Sequence, residues 1–329
     1  GNPLYRDFAE SVYDNMIEMR TRWQNDWTMG IHTMLFYLGR RDKWDAPEPS
    51  TGGGDTVEWL RSCQNADGGF GLAPGLLSDM DSTYRAVDAL ATLGQAPTDG
   101  QACVEWVLSC RNNDGGYAIE PGWHSNVAWT HFALIALDRL GHQIEDGEAT
   151  TDWLLRASND DGGNGASPVA GKLAYHGAWY SSCEYTAYKA LALGELSDGA
   201  REFIGALQTD AGGFTHRPGG APFTGYTLDA IRALGNAPNR DACVVWLRGL
   251  RREDGGYGFP GSDRSTLRNT AHCVMALAEL SEAHHEPEQA AAYMGTCKNP
   301  DGGYGHAPGR TSTVTDTWYA IGASDALER

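Results

Sequence analysis

The chain has 329 residues, a formal net charge of −18 and 41% hydrophobic residues, so it is long enough to bury a large core. The negative charge argues against a nucleic-acid or anionic-membrane partner, because phosphates would be repelled. No apolar run reaches the roughly 18 residues of a membrane-spanning helix. Cys63, Cys110 and Cys297 recur just before a turn and are expected to be buried apolar residues. We expect a cytoplasmic protein, for which peripheral membrane contact during substrate uptake stays open.

In chain order, the first elements are two predicted helices at about residues 4–22 and 26–38. From about residue 54 a repeat follows, with Gly-Gly pairs at residues 68, 115, 162, 212, 255 and 302. In each unit an amphipathic segment, such as 56–63, 104–110 or 244–250, runs into an Asp-Gly-Gly turn. This order is typical of a helix that ends in a reversal. A period near 47 residues indicates a repeat architecture.

After each turn comes a second, more apolar segment that aligns on one threonine, with leucine seven residues later in most units. That spacing is helical, and the threonine hydroxyl is expected to satisfy a free backbone N–H near the helix start. The threonines are Thr28, Thr83, Thr130, Thr186, Thr227, Thr270 and Thr317. Alternating outer and inner helices predict an all-α fold, an α/α (α6–α6) barrel, as one domain over residues 1–329. Seven helix pairs are predicted, and a closed ring of six would leave one pair outside it.

The turns Gln64-Asn65-Ala66-Asp67-Gly68-Gly69-Phe70 and Asp301-Gly302-Gly303-Tyr304 resemble those of the prenyltransferase and squalene-cyclase repeat superfamily. The resemblance covers nearly everything from residue 54 onward. It implies a barrel with a deep apolar cavity that handles isoprenoids, although several activities share this scaffold. Protein prenyltransferases of the superfamily hold zinc through an Asp-x-Cys pair, and the comparable stretch Ser181-Ser182-Cys183 lacks the carboxylate. We therefore expect neither a metal nor a cofactor.

One stretch resembles the catalytic motif of class II terpene cyclases. Asp79-Met80-Asp81-Ser82-Thr83 matches Asp-x-Asp-Asp-Thr at the start of an inner helix, with Ser82 in place of the fourth-position aspartate. In that family the middle aspartate donates the proton, which implies that Asp81 is the general acid and that Asp79 orients it. The chain is similar in size to the one-domain bacterial cyclases that make meroterpenoids. The competing interpretation is that both residues only cap the helix and occupy its first turn.

Aromatic residues gather around the shared threonine. Four of the seven residues just before it are aromatic, and further aromatic or histidine side chains lie beside them or one turn further along. Ring faces in a cavity stabilise carbocations by roughly 0.5–2 kcal/mol each; the competing interpretation is ordinary core packing. The predicted substrate-binding residues are Trp27, Trp129, Tyr185, Tyr226, His131, Phe132, Tyr188 and Trp318.

The resemblance implies a proton-initiated terpene or meroterpenoid cyclase, an isomerase or intramolecular lyase. Its substrate would be a linear isoprenoid or a prenylated aromatic that is protonated at a terminal alkene or epoxide. Two alternatives stay open: a carbohydrate-active hydrolase that pairs Asp81 with Glu184 or Asp26 across the cavity, and a zinc-free prenyltransferase-like isoprenoid-binding protein. The densest basic cluster, Arg248, Arg251 and Arg252, falls at the end of an outer helix, which favours a substrate without a diphosphate.

Overall fold

The computed structural model describes residues 54–144, 147–168, 180–282 and 286–329. Within these ranges twelve α-helices alternate between an outer and an inner position, and none is long and apolar enough to cross a membrane. The outer helices are α1 (Thr56–Ser62), α3 (Gly100–Ser109), α5 (Gly147–Leu155), α7 (Asp198–Ala206), α9 (Arg240–Arg248) and α11 (Pro287–Thr296). The inner helices are α2 (Met80–Thr92), α4 (Val127–Arg139), α6 (Cys183–Leu193), α8 (Thr224–Leu234), α10 (Leu267–Glu279) and α12 (Val314–Glu328). The predicted N-terminal helix pair and Trp27 lie outside the described residues.

The six inner helices form a closed ring. Each packs against its neighbours in the order α2, α4, α6, α8, α10 and α12, and α12 packs back against α2. Backbone hydrogen bonds complete the closure, from the Val314 amide to the Leu72 carbonyl at 2.8 Å and from the Gly54 amide to the Pro300 carbonyl at 2.6 Å. The predicted all-α α6–α6 barrel is therefore confirmed, and the six pairs that close it are those that follow residue 53.

Hydrogen bonds from side chain to backbone build the Asp-Gly-Gly turns, as the turn at Asp254 illustrates. Its Oδ1 accepts from the Gly256 amide at 3.0 Å and from the Ser265 hydroxyl at 2.6 Å. The first glycine, Gly255, has a φ of +86°, and a Cβ there would lie 2.6 Å from the Gln289 carbonyl oxygen. Left-handed backbone and so close an approach both require glycine. The turn thus ends one outer helix and seats it against the next, α11.

The shared threonine anchors the turn that precedes each inner helix. Thr270 Oγ1 accepts the Tyr257 amide at 2.9 Å and donates to the Thr266 carbonyl at 2.8 Å. We expected this hydroxyl to satisfy a free backbone N–H, and it does, but the N–H belongs to the turn and not to the helix's own first turn. The helix N-caps lie four residues before the threonine, at Asp79, Asn126, Ser182, Phe223, Thr266 and Thr313.

Strands are a minor part of the described residues. Two antiparallel pairs of two residues each follow the last two Asp-Gly-Gly turns. They are β1 (Tyr257–Gly258) with β2 (Ser265–Thr266), and β3 (Tyr304–Gly305) with β4 (Ser312–Thr313). These pairs lengthen the turns and leave the barrel all-helical.

The cysteines belong to the core. All seven are buried and free, which confirms the prediction for Cys63, Cys110 and Cys297. Burial raises the pKa of the Cys103 thiol to about 12 and raises that of Cys63 further still. Thiols with such pKa values stay protonated at neutral pH, so these side chains act as small apolar residues.

Candidate active site

The two aspartates of the predicted motif open inner helix α2 in different surroundings. Asp79 is the N-cap: its Oδ1 accepts the Ser82 amide and its Oδ2 accepts the Ser82 hydroxyl, both at 2.8 Å. Ser82 stands where the family motif has a carboxylate, and here it completes the cap. The capping interpretation therefore describes Asp79, whose side chain is buried.

Asp81 forms an ion pair with Arg85, one turn later on the same helix. The Arg85 Nε lies 3.0 Å from both carboxylate oxygens, and Nη2 lies 2.9 Å from Oδ1. The exposed fraction of the side chain is 28% for Asp81 and 11% for Arg85. Because both Asp81 oxygens face the guanidinium, proton transfer from Asp81 to a substrate first requires this contact to be exchanged.

Four aromatic rings surround the Arg85 guanidinium. Its carbon lies 4.5 Å from the centroid of Trp318, 5.3 Å from Tyr319, 5.7 Å from Tyr84 and 5.9 Å from Phe132. These rings come from α2 and from both of its neighbours, α4 and α12, so Arg85 points into the ring of helices. Cation–π contacts of this kind stabilise a buried cation. The interior thus already holds one permanent positive charge among the rings.

These rings belong to a longer series of aromatic contacts, which we call the aromatic belt. Successive ring centroids in the belt lie between 4.6 and 5.8 Å apart. In spatial order its members are Trp129, Phe132, Tyr84, Trp318, Tyr319, His272, Phe223 and Tyr226, and Tyr188 and His131 join at Phe132. The belt reaches all six inner helices and supplies the π-faces that cation chemistry needs.

The aromatic column just before the threonine contributes only part of this belt. Trp129 and Tyr226 are half-buried at its two ends, and Tyr185 is buried. Ser82 and Asn269 stand in the same column and hydrogen-bond to the caps of their own helices. Most of the belt lies one or two residues after the threonine, where the predicted residues His131, Phe132, Tyr188 and Trp318 are found. His131, Phe132 and Tyr188 contact one another, and Trp318 joins them through Tyr84. The role of these residues in binding substrate stays a prediction.

Two interior acids on α6 and α8 complete the site. Burial raises the pKa of Glu184 to about 8, with the charges of Asp229 and Asp81 adding to the shift and Arg85 opposing it. Burial likewise raises the pKa of Asp229 to about 7, against the lowering effect of Arg232 and Arg85. Near neutral pH Glu184 therefore keeps its proton, whereas Asp229 is divided between its charged and neutral forms. Arg85 acts on both acids from α2, so these charges meet across the middle of the barrel.

Two interior histidines are uncharged at neutral pH. Burial lowers the pKa of His131 to about 4, and Arg232 adds to the shift; burial also lowers the pKa of His272. The His272 Nδ1 lies 3.0 Å from Thr224 Oγ1, whose hydroxyl donates to Asn269 Oδ1 at 2.8 Å. Because that hydroxyl proton is used, His272 Nδ1 carries the hydrogen and Nε2 is left as an acceptor.

Three overlapping segments of the chain, residues 28–101, 95–238 and 195–329, match the family model of the prenyltransferase alpha-alpha toroid domain. The chain belongs to this family. One similar solved toroid is the type II terpene cyclase MstE from Scytonema, 15% identical with a TM-score of 0.62 over 83% of this chain and 94% of that one. MstE has also been solved with its substrate, geranylgeranyl dihydroxybenzoate.

Two further toroids show the range of activities on this fold. The protein geranylgeranyltransferase-I of Candida albicans, complexed with GGPP, is 15% identical with a TM-score of 0.63 over 74% of this chain and 83% of that one. The ent-copalyl diphosphate synthase of Streptomyces platensis is 18% identical with a TM-score of 0.56 over 86% of this chain and 56% of that one. At such identities the likeness concerns the toroid fold.

The metal-binding stretch of protein prenyltransferases has only partial counterparts in this chain. In the described ranges no group of three or more His, Cys, Asp or Glu side chains could hold a metal ion. In the stretch at Ser182-Cys183, the serine caps α6 and burial raises the pKa of the cysteine thiol. An Asp-x-Cys stretch does occur at Asp241-Ala242-Cys243 on outer helix α9, where the aspartate is exposed and the cysteine is fully buried. The expectation of a metal-free site stays a prediction.

Proposed function

We propose that this toroid is a class II, proton-initiated terpene or meroterpenoid cyclase. It would protonate a terminal alkene or epoxide of a linear isoprenoid or prenylated aromatic and fold the chain into fused rings. The observation that carries this proposal is the pair of interior carboxyl groups, Glu184 and Asp229, whose pKa values are raised to about 8 and about 7, so that Glu184 keeps its proton near neutral pH. They stand beside the aromatic belt, in a fold that two solved terpene cyclases share.

The chemistry needs an undissociated acid because an alkene is a very weak base. The acid's proton adds to the less substituted carbon of the terminal double bond, whose π electrons form the new C–H bond. The positive charge is left on the tertiary carbon, and the acid becomes a carboxylate. The tertiary cation is then attacked by the next double bond, and ring closures continue until loss of a proton gives an isomer of the substrate. The rings of the belt stabilise the moving charge by roughly 0.5–2 kcal/mol per well-placed face.

We assign the proton donor to Glu184. The Asp229 charge helps to keep its proton in place, and Arg85 stabilises the carboxylate that remains after transfer. The family resemblance instead assigns the donor to Asp81 with Asp79 as its orienting partner. Asp81 faces the Arg85 guanidinium, and both oxygens of Asp79 accept hydrogen bonds from Ser82. In our assignment Asp81 positions Arg85. The two assignments predict different results, because the first expects Glu184→Gln to lose activity and the second expects Asp81→Asn to lose it.

The test is incubation with prenylated aromatic acids, squalene and geranylgeranyl diphosphate in the presence of EDTA, read by chromatography and mass spectrometry. Wild type is expected to convert one substrate into an isomer of unchanged mass. Glu184→Gln is expected to lower kcat by roughly 10²- to 10⁴-fold, whereas Asp81→Asn keeps measurable turnover. Glu202→Gln, which changes an exposed glutamate on α7, is the control and should match wild type.

The outcomes separate the alternatives. An inactive Asp81→Asn together with an active Glu184→Gln returns the donor role to Asp81. No product from wild type with any of the isoprenoids contradicts the cyclase proposal. Sugar release from oligosaccharides would then favour the hydrolase, and isoprenoid binding without turnover would favour the carrier.

A further inference from the structure

Arg268, on the inner wall of the barrel, forms no side-chain hydrogen bond or ion pair with the residues that the structure describes. It is the second residue of α10, its side chain is half-buried, and its Nε is buried without a hydrogen-bond partner. The guanidinium carbon lies 5.6 Å from the ring centroid of Tyr319 on α12, a member of the aromatic belt. The side chain therefore reaches along the interior from one inner helix to the next.

Two other arginines of the inner helices have carboxylate partners. The Arg85 Nη2 lies 2.9 Å from Asp81 Oδ1, and the Arg232 Nε lies 3.3 Å from Glu279 Oε1. No carboxylate of the described residues forms an ion pair with Arg268. A buried N–H without an acceptor lowers stability, so an anion that accepts a hydrogen bond from it would offset this cost.

Three arginines, Arg268 among them, act on this part of the interior. Its charge has the largest electrostatic effect on the pKa of His272, one turn further along α10, and Arg232 and Arg85 act in the same direction. His272 is itself uncharged at neutral pH. Arg85 and Arg232 are each offset by a carboxylate, so Arg268 is the one of these three arginines whose charge no ion pair with a described residue offsets. A guanidinium in such a position binds carboxylate or phosphate oxygens, often through two parallel hydrogen bonds.

We propose that Arg268 binds the anionic head group, a carboxylate or a phosphate, of the isoprenoid substrate. This inference rests on the proposed function and adds the charged end of the substrate to it. Glu184 lies on α6 and Arg268 on α10, with α8 between them in the ring, so the proton donor and the head-group site occupy different parts of the interior. A head group on Arg268 leaves the apolar chain to run along the aromatic belt towards Glu184.

The interior arginine changes one expectation from the sequence. The sequence favours a substrate without a diphosphate, because its densest basic cluster falls at the end of an outer helix. In that cluster, Arg248 and Arg251 form ion pairs with glutamates, and Arg252 donates to the carbonyl oxygen of Phe259 at 2.7 Å. The outer cluster therefore stabilises the fold through these contacts. Arg268 provides the interior positive charge that a phosphate head group would need.

Binding tests the inference without turnover. The probes are geranylgeranyl diphosphate, geranylgeranoic acid and the neutral alcohol geranylgeraniol, with Kd measured by isothermal titration calorimetry. Wild type is expected to bind at least one anionic probe roughly 10- to 100-fold more tightly than the alcohol. Arg268→Gln should lose this preference while the Kd of the alcohol stays the same. Arg264→Gln, at an exposed position nearby, is the matched control, and far-ultraviolet circular dichroism verifies that each variant is folded.

The arms of the experiment identify the head group. A preference for the acid alone indicates a carboxylate, and a preference for the diphosphate alone indicates a phosphate. Equal Kd values for charged and neutral probes in wild type, or an unchanged preference in Arg268→Gln, overturn the inference. If wild type prefers anionic probes but cyclises no substrate, the head-group site at Arg268 is supported and the cyclase proposal is contradicted. If wild type and Arg268→Gln cyclise squalene equally and neither prefers anionic probes, the cyclase proposal holds and the head-group site at Arg268 is wrong.

Discussion

Glu184 should make the stability of the wild-type protein fall as the pH rises, and Glu184→Gln should remove that effect. Burial raises the pKa of this carboxyl from 4.5 to about 8 on folding. Below pH 4.5 both states are protonated and the group contributes nothing. Between pH 4.5 and 8 the unfolded chain releases a proton that the folded protein keeps bound, so unfolding becomes easier. Above pH 8 the loss is complete and amounts to roughly 4–5 kcal/mol.

Glutamine resembles the protonated acid and cannot ionise, so the variant is matched to the low-pH form. Urea denaturation of wild type and Glu184→Gln at pH 5, 7 and 9 should give similar free energies of unfolding at pH 5. At pH 9 the variant should be more stable, by on the order of 4 kcal/mol. Glu202→Gln, exposed on α7, should follow wild type throughout. A difference between Glu184→Gln and wild type that stays constant with pH would refute the reasoning.

Three further predictions concern stability, each measured by urea denaturation at neutral pH. Thr270→Val should lower the free energy of unfolding by about 1–3 kcal/mol, because the Tyr257 amide loses its acceptor. An unchanged free energy of unfolding would contradict the anchoring role of the threonine. Gly212→Ala should lose roughly 3 kcal/mol or more, since φ is +106° and a Cβ would lie 2.1 Å from the Ala242 oxygen. Gly219→Ala, at a φ of +78° in open space, should lose only about 1 kcal/mol, and equal losses would disprove the steric argument. Asp81→Asn should lower the free energy of unfolding by about 1–3 kcal/mol, because it leaves Arg85 without its carboxylate partner. Asp325→Asn breaks an exposed ion pair of the same spacing and should lower the free energy of unfolding by less than about 0.5 kcal/mol. Similar losses in these two would show that the Asp81 pair behaves as a surface pair.

The fold was predictable because its determinants are local. An aspartate that accepts from the second glycine amide, and a first glycine with positive φ, are properties of a few consecutive residues. Their spacing therefore reveals the repeat and the number of pairs in the ring. The shared threonine was predictable as a hydrogen-bonding residue, but its partner lies 13 residues earlier in most repeats, beyond the reach of a capping pattern.

The site was predictable only in part, because helical periodicity does not say which apolar face of an inner helix lines the interior. The column that supplies most of the interior groups lies two residues after the threonine. It reads Arg85, Phe132, Tyr188, Asp229, His272 and Tyr319. Arg85 had a usable signal, since it follows Asp81 by four residues on one helix. Asp229 is followed by Arg232 three residues later on the same helix, but its raised pKa comes mainly from burial, which the sequence pattern does not reveal.

The closure of the ring between α12 and α2 bears on how the barrel comes apart. In an open array of repeats the two end units each lack one neighbour, and they fray first. The repeats that the structure describes have no such end, because the amide of Val314 bonds to the carbonyl of Leu72 and every inner helix has two neighbours. To release one repeat, two interfaces must be broken at once. Because the ring is closed, the same set of interfaces forms whichever repeat comes first along the chain. A circular permutant whose termini lie at another Asp-Gly-Gly turn should therefore fold to the same toroid.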